Sequence, residues 1–189
     1  MPWFKRAFDI GLSAILMLLL SPLIMILALA MKLTSRGPVL HCSKRVGRNN
    51  QLFLMHKFRS MRINTPQLPT HLLSTPQAYL TPIGSFLRHT SLDELPQLWD
   101  ILTGKMSFVG PRPALFNQDD LIALRTVQGI DALVPGLTGW AQVNGRDELP
   151  IPVKVQYDLE YLQRQSFLFD LRIMCLTAKK SLRGEGIQH

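Results

Sequence analysis

The sequence predicts a small, mostly helical α/β protein attached to a membrane, and three observations lead there. Residues 10–31, IGLSAILMLLLSPLIMILALAM, form an uncharged apolar run, and about 20 such residues suffice to cross a bilayer core. Helix-period apolar spacing recurs over 91–102 and 151–182. Residues 38–61 hold two short strand-like pieces. Once the apolar run is set aside, the rest of the 189 residues suffices for one compact domain rather than two. The chain therefore divides into an anchor over 1–36 and a cytosolic domain over 37–189.

The anchor comes first. Its Leu and Ile residues each favour insertion by roughly 0.3–0.6 kcal/mol, together outweighing the roughly 3 kcal/mol a helical proline can cost. Lys5 and Arg6 precede the run, and Lys32 and Arg36 follow it. Basic residues favour the cytoplasmic side. Two arrangements fit: a single span kinked at Pro22, or a helix broken at Ser21-Pro22 that enters and returns to the same face. Each half would be about 16 Å long, enough for mid-bilayer. Pro22 frees a carbonyl four residues earlier, which the Ser21 hydroxyl can take. A cleaved signal peptide is disfavoured, because the run is long and lacks a small-residue cleavage pattern.

After the anchor, PVLHCSKRVG and QLFLMHKFRSM read as extended pieces around a turn at Gly47. Residues 64–82, rich in Pro, Thr and Gln, read as a loop. A helix over 91–102, a rigid SFVGPRPA connection, a short helix over 117–127 and a turn-dense VPGLTGWAQVNGRDELP follow. From 151 to 182 apolar residues, aromatics and basic residues mingle, either as interfacial amphipathic helices or as ordinary core. Net charge is +8; a basic face beside an anchor favours lipid headgroups or nucleotide phosphates as partners, and no motif for reading nucleic acid is present. Cys42 and Cys175 show no paired spacing, which points to a reducing compartment and no zinc site.

RHTSLDELPQLWDIL carries the densest chemical signal. Ser91 and Glu94 fit a capping box, with Leu92, Leu95, Leu98 and Leu102 on a buried face. Asp93 and Glu94 then lie in the first turn, where the helix end favours anions. Neighbouring carboxylates can divide labour, one as nucleophile and one as a ligand to Mg²⁺ carried by phosphates; alternatively they only cap the helix. Arg88 lies just upstream. In Gly110-Pro111-Arg112-Pro113 two prolines stiffen the backbone under an arginine fork, which suits a phosphate clamp or a plain rigid turn. Arg146 closes a glycine-rich segment and could meet phosphate. Lys57 and Arg59 alternate along a strand, facing one site or solvent. Asp158 and Asp170 read as isolated surface carboxylates.

Taken in order, KRAFDI, the apolar run broken by SP, GPV, KRVG, KFRSM, SLDELPQLW, MSFVGPRP and PGLTGWAQVNGR resemble the bacterial sugar transferase family, the monotopic phosphoglycosyl transferases acting on polyprenol carriers. The resemblance runs from about Lys5 to Thr177 and is closest to the minimal form, similar to the bacillosamine-phosphate transferase of bacterial N-glycosylation. It implies a re-entrant membrane hairpin turning at Ser21-Pro22 on the cytoplasmic face of the bacterial inner membrane. It implies that Asp93 takes a sugar phosphate from a UDP-sugar, releasing UMP, and that polyprenol phosphate, as undecaprenyl phosphate, then collects it. This is the first membrane step of exopolysaccharide, O-antigen, capsule or glycoprotein glycan assembly. Glu94, with Asp93, is the implied Mg²⁺ ligand; Arg88, Arg112, Arg146, Lys57 and Arg59 are the implied phosphate-binding cations. The minimal form points toward an N-acetylated donor. The chain departs from the family at Lys105, where an acidic residue is usual, at TPQAYLTPIG, and at Asn50, where glycine is usual. Two rivals follow: a catalytically silent membrane scaffold of the same fold, and an ordinary glycosyltransferase that releases UDP.

Overall fold

The computed structural model describes residues 2–63, 65, 76–145 and 149–183. Its first element, α1 (Trp3–Thr34), is one helix of 32 residues, about 48 Å at the helical rise. Two half-helices meeting at Ser21-Pro22 are not what it shows. Pro22 lies inside the helix, and the Ser21 hydroxyl donates to the Leu18 carbonyl at 2.8 Å. That carbonyl is the one a Pro22 N–H would have used, so local rescue keeps the element continuous.

β1 (Leu40–Val46) and β2 (Leu52–Phe58) form an antiparallel hairpin in the register Val46↔Leu52 to Leu40↔Phe58. Its turn holds Asn49 and Asn50 at φ 53° and 58°. Asparagine tolerates that left-handed conformation best after glycine, which accounts for Asn50 where glycine is usual. α2 (Gly84–His89) leads into a 3₁₀ turn at Leu92–Glu94 and then α3 (Gln97–Leu102). The single capped helix expected over 91–102 is therefore two pieces. Pro96 cannot bond the Leu92 carbonyl, so Leu95 N–H takes it in a tighter turn, at 3.3 Å. Ser91 sits at φ 56° with no capping hydrogen bond.

β3 (Ser107–Val109) runs parallel to β4 (Gly136–Thr138), with α4 (Asp119–Val127) in the connection. Three glycines make the crossing. A Cβ on Gly136 would overlap Gly110 N and lie 2.6 Å from Gly110 O, and one on Gly139 would overlap Gly110 O. The turn-dense segment contains a helix that spacing did not reveal, α5 (Trp140–Gly145). α6 (Ile151–Arg164) and α7 (Phe167–Arg183) are the last of the described elements, interrupted at Gln165-Ser166.

The main core gathers Ile101, Met106, Val109, Leu121, Ile130, Tyr161, Phe169 and Ile173, and a second cluster joins Leu27 and Met31 of α1 to Phe58 and Leu87. Asp158 and Asp170, expected at the surface, are buried. Asp158 pairs with Arg125, at 3.0 Å to Nε and 2.6 Å to Nη2. Asp170 meets Lys5 Nζ at 2.5 Å and accepts from the Tyr161 hydroxyl at 2.7 Å. The stripe of apolar residues in α6 already runs through Val155 and Tyr161, and Asp158 shares their face at three-residue spacing.

α1 has a face packed on the body and an apolar face left exposed. Lys5, Asp9, Ser13, Leu27 and Met31 are buried against the body, with Leu12, Leu16, Leu20 and Leu23 packed between them. Ile15, Leu18, Leu19, Met25, Ile26, Leu29 and Leu33 are exposed on the other side. A face of that size needs an apolar medium, and α1 is long and apolar enough to cross a membrane. The protein therefore belongs at a membrane. Both ends of α1 are tied to the same body: Arg6 donates to the Ile101 and Leu102 carbonyls at 2.6 and 2.7 Å, and the Arg59 guanidinium to the Arg36 carbonyl at 2.7 Å.

Candidate active site

Asp93 and Glu94 occupy the 3₁₀ turn between α2 and α3. Leu92 and Leu95 on either side pack into the second core cluster, which pins the turn. Asp93 is 8% exposed. Burial foremost raises its pKa above the ordinary carboxylate value; Lys57 opposes that, the neighbouring Glu94 charge adds to it, and Arg88 and Arg112 oppose it. The ready ionisation expected of a helix N-terminus thus gives way to a carboxyl pushed upward in a basic surround.

Glu94 behaves in the opposite way. Its Oε1 accepts from Lys57 Nζ at 2.8 Å and from Arg112 Nη2 at 3.5 Å. Burial alone would raise its pKa, but the two cations outweigh burial and hold it at about 2. Two adjacent carboxyls are thereby separated, one permanently charged and one raised, the usual sign of divided roles.

The cations arrive from separate elements. Lys57 projects from β2, Arg88 from α2, and Arg112 from the turn after β3. The Arg112 carbonyl accepts from Arg125 Nη1 at 2.8 Å, and Arg125 is fixed in turn by buried Asp158. This brace was not legible beforehand; its one signal was the place of Asp158 on the apolar stripe of α6. A second unanticipated pair ties β2 to α3. Fully buried Asp100 accepts from the His56 backbone N–H at 2.9 Å and lies 2.7 Å from His56 Nδ1.

Of the residues singled out in sequence, the structure brings together Asp93, Glu94, Lys57 and Arg112, with Arg88 within electrostatic reach of Asp93. Arg59 is turned away onto the end of α1. Arg146 lies outside the described residues. Lys105 is exposed in the turn after α3.

The donor chemistry fits Mg²⁺ in one form. Among the described residues no group of three or more His, Cys, Asp or Glu could hold a metal by itself. Mg²⁺ is commonly held by one or two carboxylates plus substrate phosphates and water. Asp93 and Glu94, backed by cations suited to phosphate, supply that partial set.

Residues 1–184 match the model of the family described as bacterial sugar transferase. The chain is 42% identical over 195 residues to the undecaprenyl-phosphate glucose phosphotransferase of Komagataeibacter xylinus, covering 94% of this chain and 36% of that protein. It is 40% identical over 184 residues to the UDP-glucose:undecaprenyl-phosphate glucose-1-phosphate transferase of Escherichia coli (strain K12), covering 93% and 39%. With the sugar transferase EpsL of Bacillus subtilis (strain 168) it shares 36% identity over 184 residues, covering 97% and 90%. The chain thus spans less than half the length of the first two relatives and nearly all of the third.

Proposed function

We infer the function from one premise: the chain belongs to the bacterial sugar transferase family. On that premise it is a phosphoglycosyl transferase that moves a sugar phosphate from a UDP-sugar to polyprenol phosphate, as undecaprenyl phosphate, and releases UMP. The observation that carries this reading is the split carboxyl pair, a buried Asp93 beside a Glu94 clamped by Lys57 and Arg112.

In the first step an Asp93 carboxylate oxygen attacks the sugar-bearing phosphorus. The bond from that phosphorus to the bridging oxygen breaks, and UMP departs with the electron pair. The sugar phosphate is left on Asp93 as a mixed anhydride. In the second step a phosphate oxygen of the polyprenol phosphate attacks the same phosphorus, and Asp93 leaves as carboxylate. Neither step needs a proton from the protein, consistent with a site built of cations rather than general acids. Asp93 reacts only when ionised, so its raised pKa sets the acid limb of activity. Lys57 fixes Glu94, Arg112 faces phosphate oxygens from a turn braced by Arg125, and Arg88 adds positive potential. Glu94 and Asp93 would be the residues that hold Mg²⁺, which would supply further charge neutralisation. The first two relatives are named for glucose, so UDP-glucose is the first donor to test.

The membrane arrangement follows the same reading. α1 lies along the body with its exposed apolar face embedded in lipid from the cytoplasmic side, without crossing to the far face, so the carrier phosphate and the nucleotide meet on one face. The docking of both α1 ends on one body supports this, as does the packing of its inner face along that body. The start of α7 joins the same surface: Phe167 packs on Phe4 and Phe8, and Leu168 and Trp3 are exposed beside them.

The test is nucleotide release by the purified chain with undecaprenyl phosphate, Mg²⁺ and UDP-glucose or other UDP-sugars, run beside Asp93→Asn. UMP abolished by the substitution is the expected result. UDP release would identify an ordinary glycosyltransferase, and no release from a broad panel by folded protein would leave a silent scaffold.

A further inference from the structure

At the end of α1 the body forms an open cavity of about 630 Å³, and none of Asp93, Glu94, Lys57, Arg88 or Arg112 lines it. Its wall combines Arg36, Arg59 and Arg62 with apolar atoms of Ile63, Ala78 and Pro82. Arg59 is 4% exposed. A guanidinium keeps its charge at any physiological pH, and a buried charge normally has an ionic partner. The partners of Arg59 among the described residues are all neutral: the Arg36 carbonyl at 2.7 Å, and the Ser35 carbonyl and hydroxyl at 3.2 and 3.0 Å. Its Nε has none. The backbone closes on it at Gly37, where φ is +112° and a Cβ would lie 2.7 Å from Arg59 Nη1.

The local sequence offers no anion either. Between Asp9 and Asp93 there is not one Asp or Glu, while Lys and Arg recur throughout. The counter-charge must come from elsewhere on the protein or from outside. Position indicates the outside source. Thr34, Ser35 and Arg36 line the cavity where the apolar helix gives out, and the last-turn Lys32 adds further charge. A ligand there must carry a phosphate-like head and tolerate apolar walls.

We propose that this cavity binds the phosphate of a membrane lipid, seating an anionic headgroup on Arg36, Arg59 and Arg62 where α1 leaves the bilayer. The anion completes the buried Arg59 and fixes the depth of α1 relative to the membrane surface. The site is separate from the Asp93 centre and does not depend on the catalytic reading.

The experiment titrates the full chain in neutral detergent with dihexanoyl phosphatidylglycerol, followed by calorimetry. Parallel arms use dihexanoyl phosphatidylcholine, inorganic phosphate and UMP. Because Arg59 supports the fold, the variant is Arg36→Gln with Arg62→Gln, both exposed. Lys44→Gln with Arg48→Gln removes the same charge elsewhere on the surface and serves as the control. Phosphatidylglycerol is expected to bind at least tenfold more tightly than phosphatidylcholine. The double variant should lose that tenfold, and the control pair less than twofold. Equal binding of the two lipids, or an equal loss in the control pair, would overturn the site. Inorganic phosphate or UMP binding as tightly as phosphatidylglycerol would overturn the lipid assignment in favour of a free anion.

Discussion

Lys57→Met tests the electrostatic design of the site most directly. Lys57 is the closer of the two cations on Glu94, at 2.8 Å against 3.5 Å for Arg112, and it is the leading charge that lowers the pKa of Asp93. Holding Glu94 at about 2 rather than 4.5 corresponds to about 3 kcal/mol of preference for its ionised form. Lys57 supplies the larger part of that preference, so the substitution should cost about 2 kcal/mol of stability at pH 7. The sign is fixed by the direction of the shift. A carboxyl depressed in the folded state stabilises above its unfolded pKa of 4.5 and loses that contribution as pH falls through about 2. The deficit of Lys57→Met should therefore be full at pH 7 and shrink between pH 4.5 and 2. Activity moves as well: without Lys57 the already raised Asp93 rises further, shifting the acid limb of UMP release to higher pH. Urea unfolding in micelles across that pH range and a kcat/KM profile for UMP release read the two effects. A stability deficit independent of pH, or an acid limb that stays in place, would refute the reasoning.

Other perturbations probe the supports. Asp158→Ala strips a buried Arg125 of its partner and should cost about 3–5 kcal/mol; because Arg125 also holds the Arg112 carbonyl, UMP release by the surviving folded fraction should fall too, measured per folded molecule. Gly136→Ala places a methyl on the Gly110 backbone, which cannot yield as a flexible side chain would, and a thermal melt should show loss of the folded state or a large drop in Tm. Ser21→Ala leaves the Leu18 carbonyl unpaired inside lipid and should cost about 1 kcal/mol by unfolding from micelles. Chelation by EDTA should stop UMP release, and added Mg²⁺ should restore it; undiminished release would remove the metal from the reaction.

Much of this protein was legible in order along the chain. The apolar run, the hairpin over 40–58 and the helices after 151 depend on local composition and period, which act within a few residues of sequence. The DE pair and the GPRP turn could be named for the same reason, since their chemistry is carried by short motifs. The fate of Ser91–Leu102 could not be read in full: the capping pattern competed with Pro96, and packing of Leu92 and Leu95 decided between them. Ser21-Pro22 shows a similar contest, because a hydroxyl reaching the Leu18 carbonyl keeps a helix where a break was expected.

Sequence alone determined that the chain meets a membrane and carries adjacent carboxyls within reach of several cations. Tertiary structure alone decided which cation serves which acid. Lys57 turns to Glu94, while Arg59, two residues on, turns to the end of α1. Asp158 and Asp170, unremarkable in sequence, became the buried partners of Arg125 and Lys5. Pairings of that kind join residues tens to more than a hundred positions apart. Their energies depend on distance and desolvation, which exist only once the chain has closed on itself.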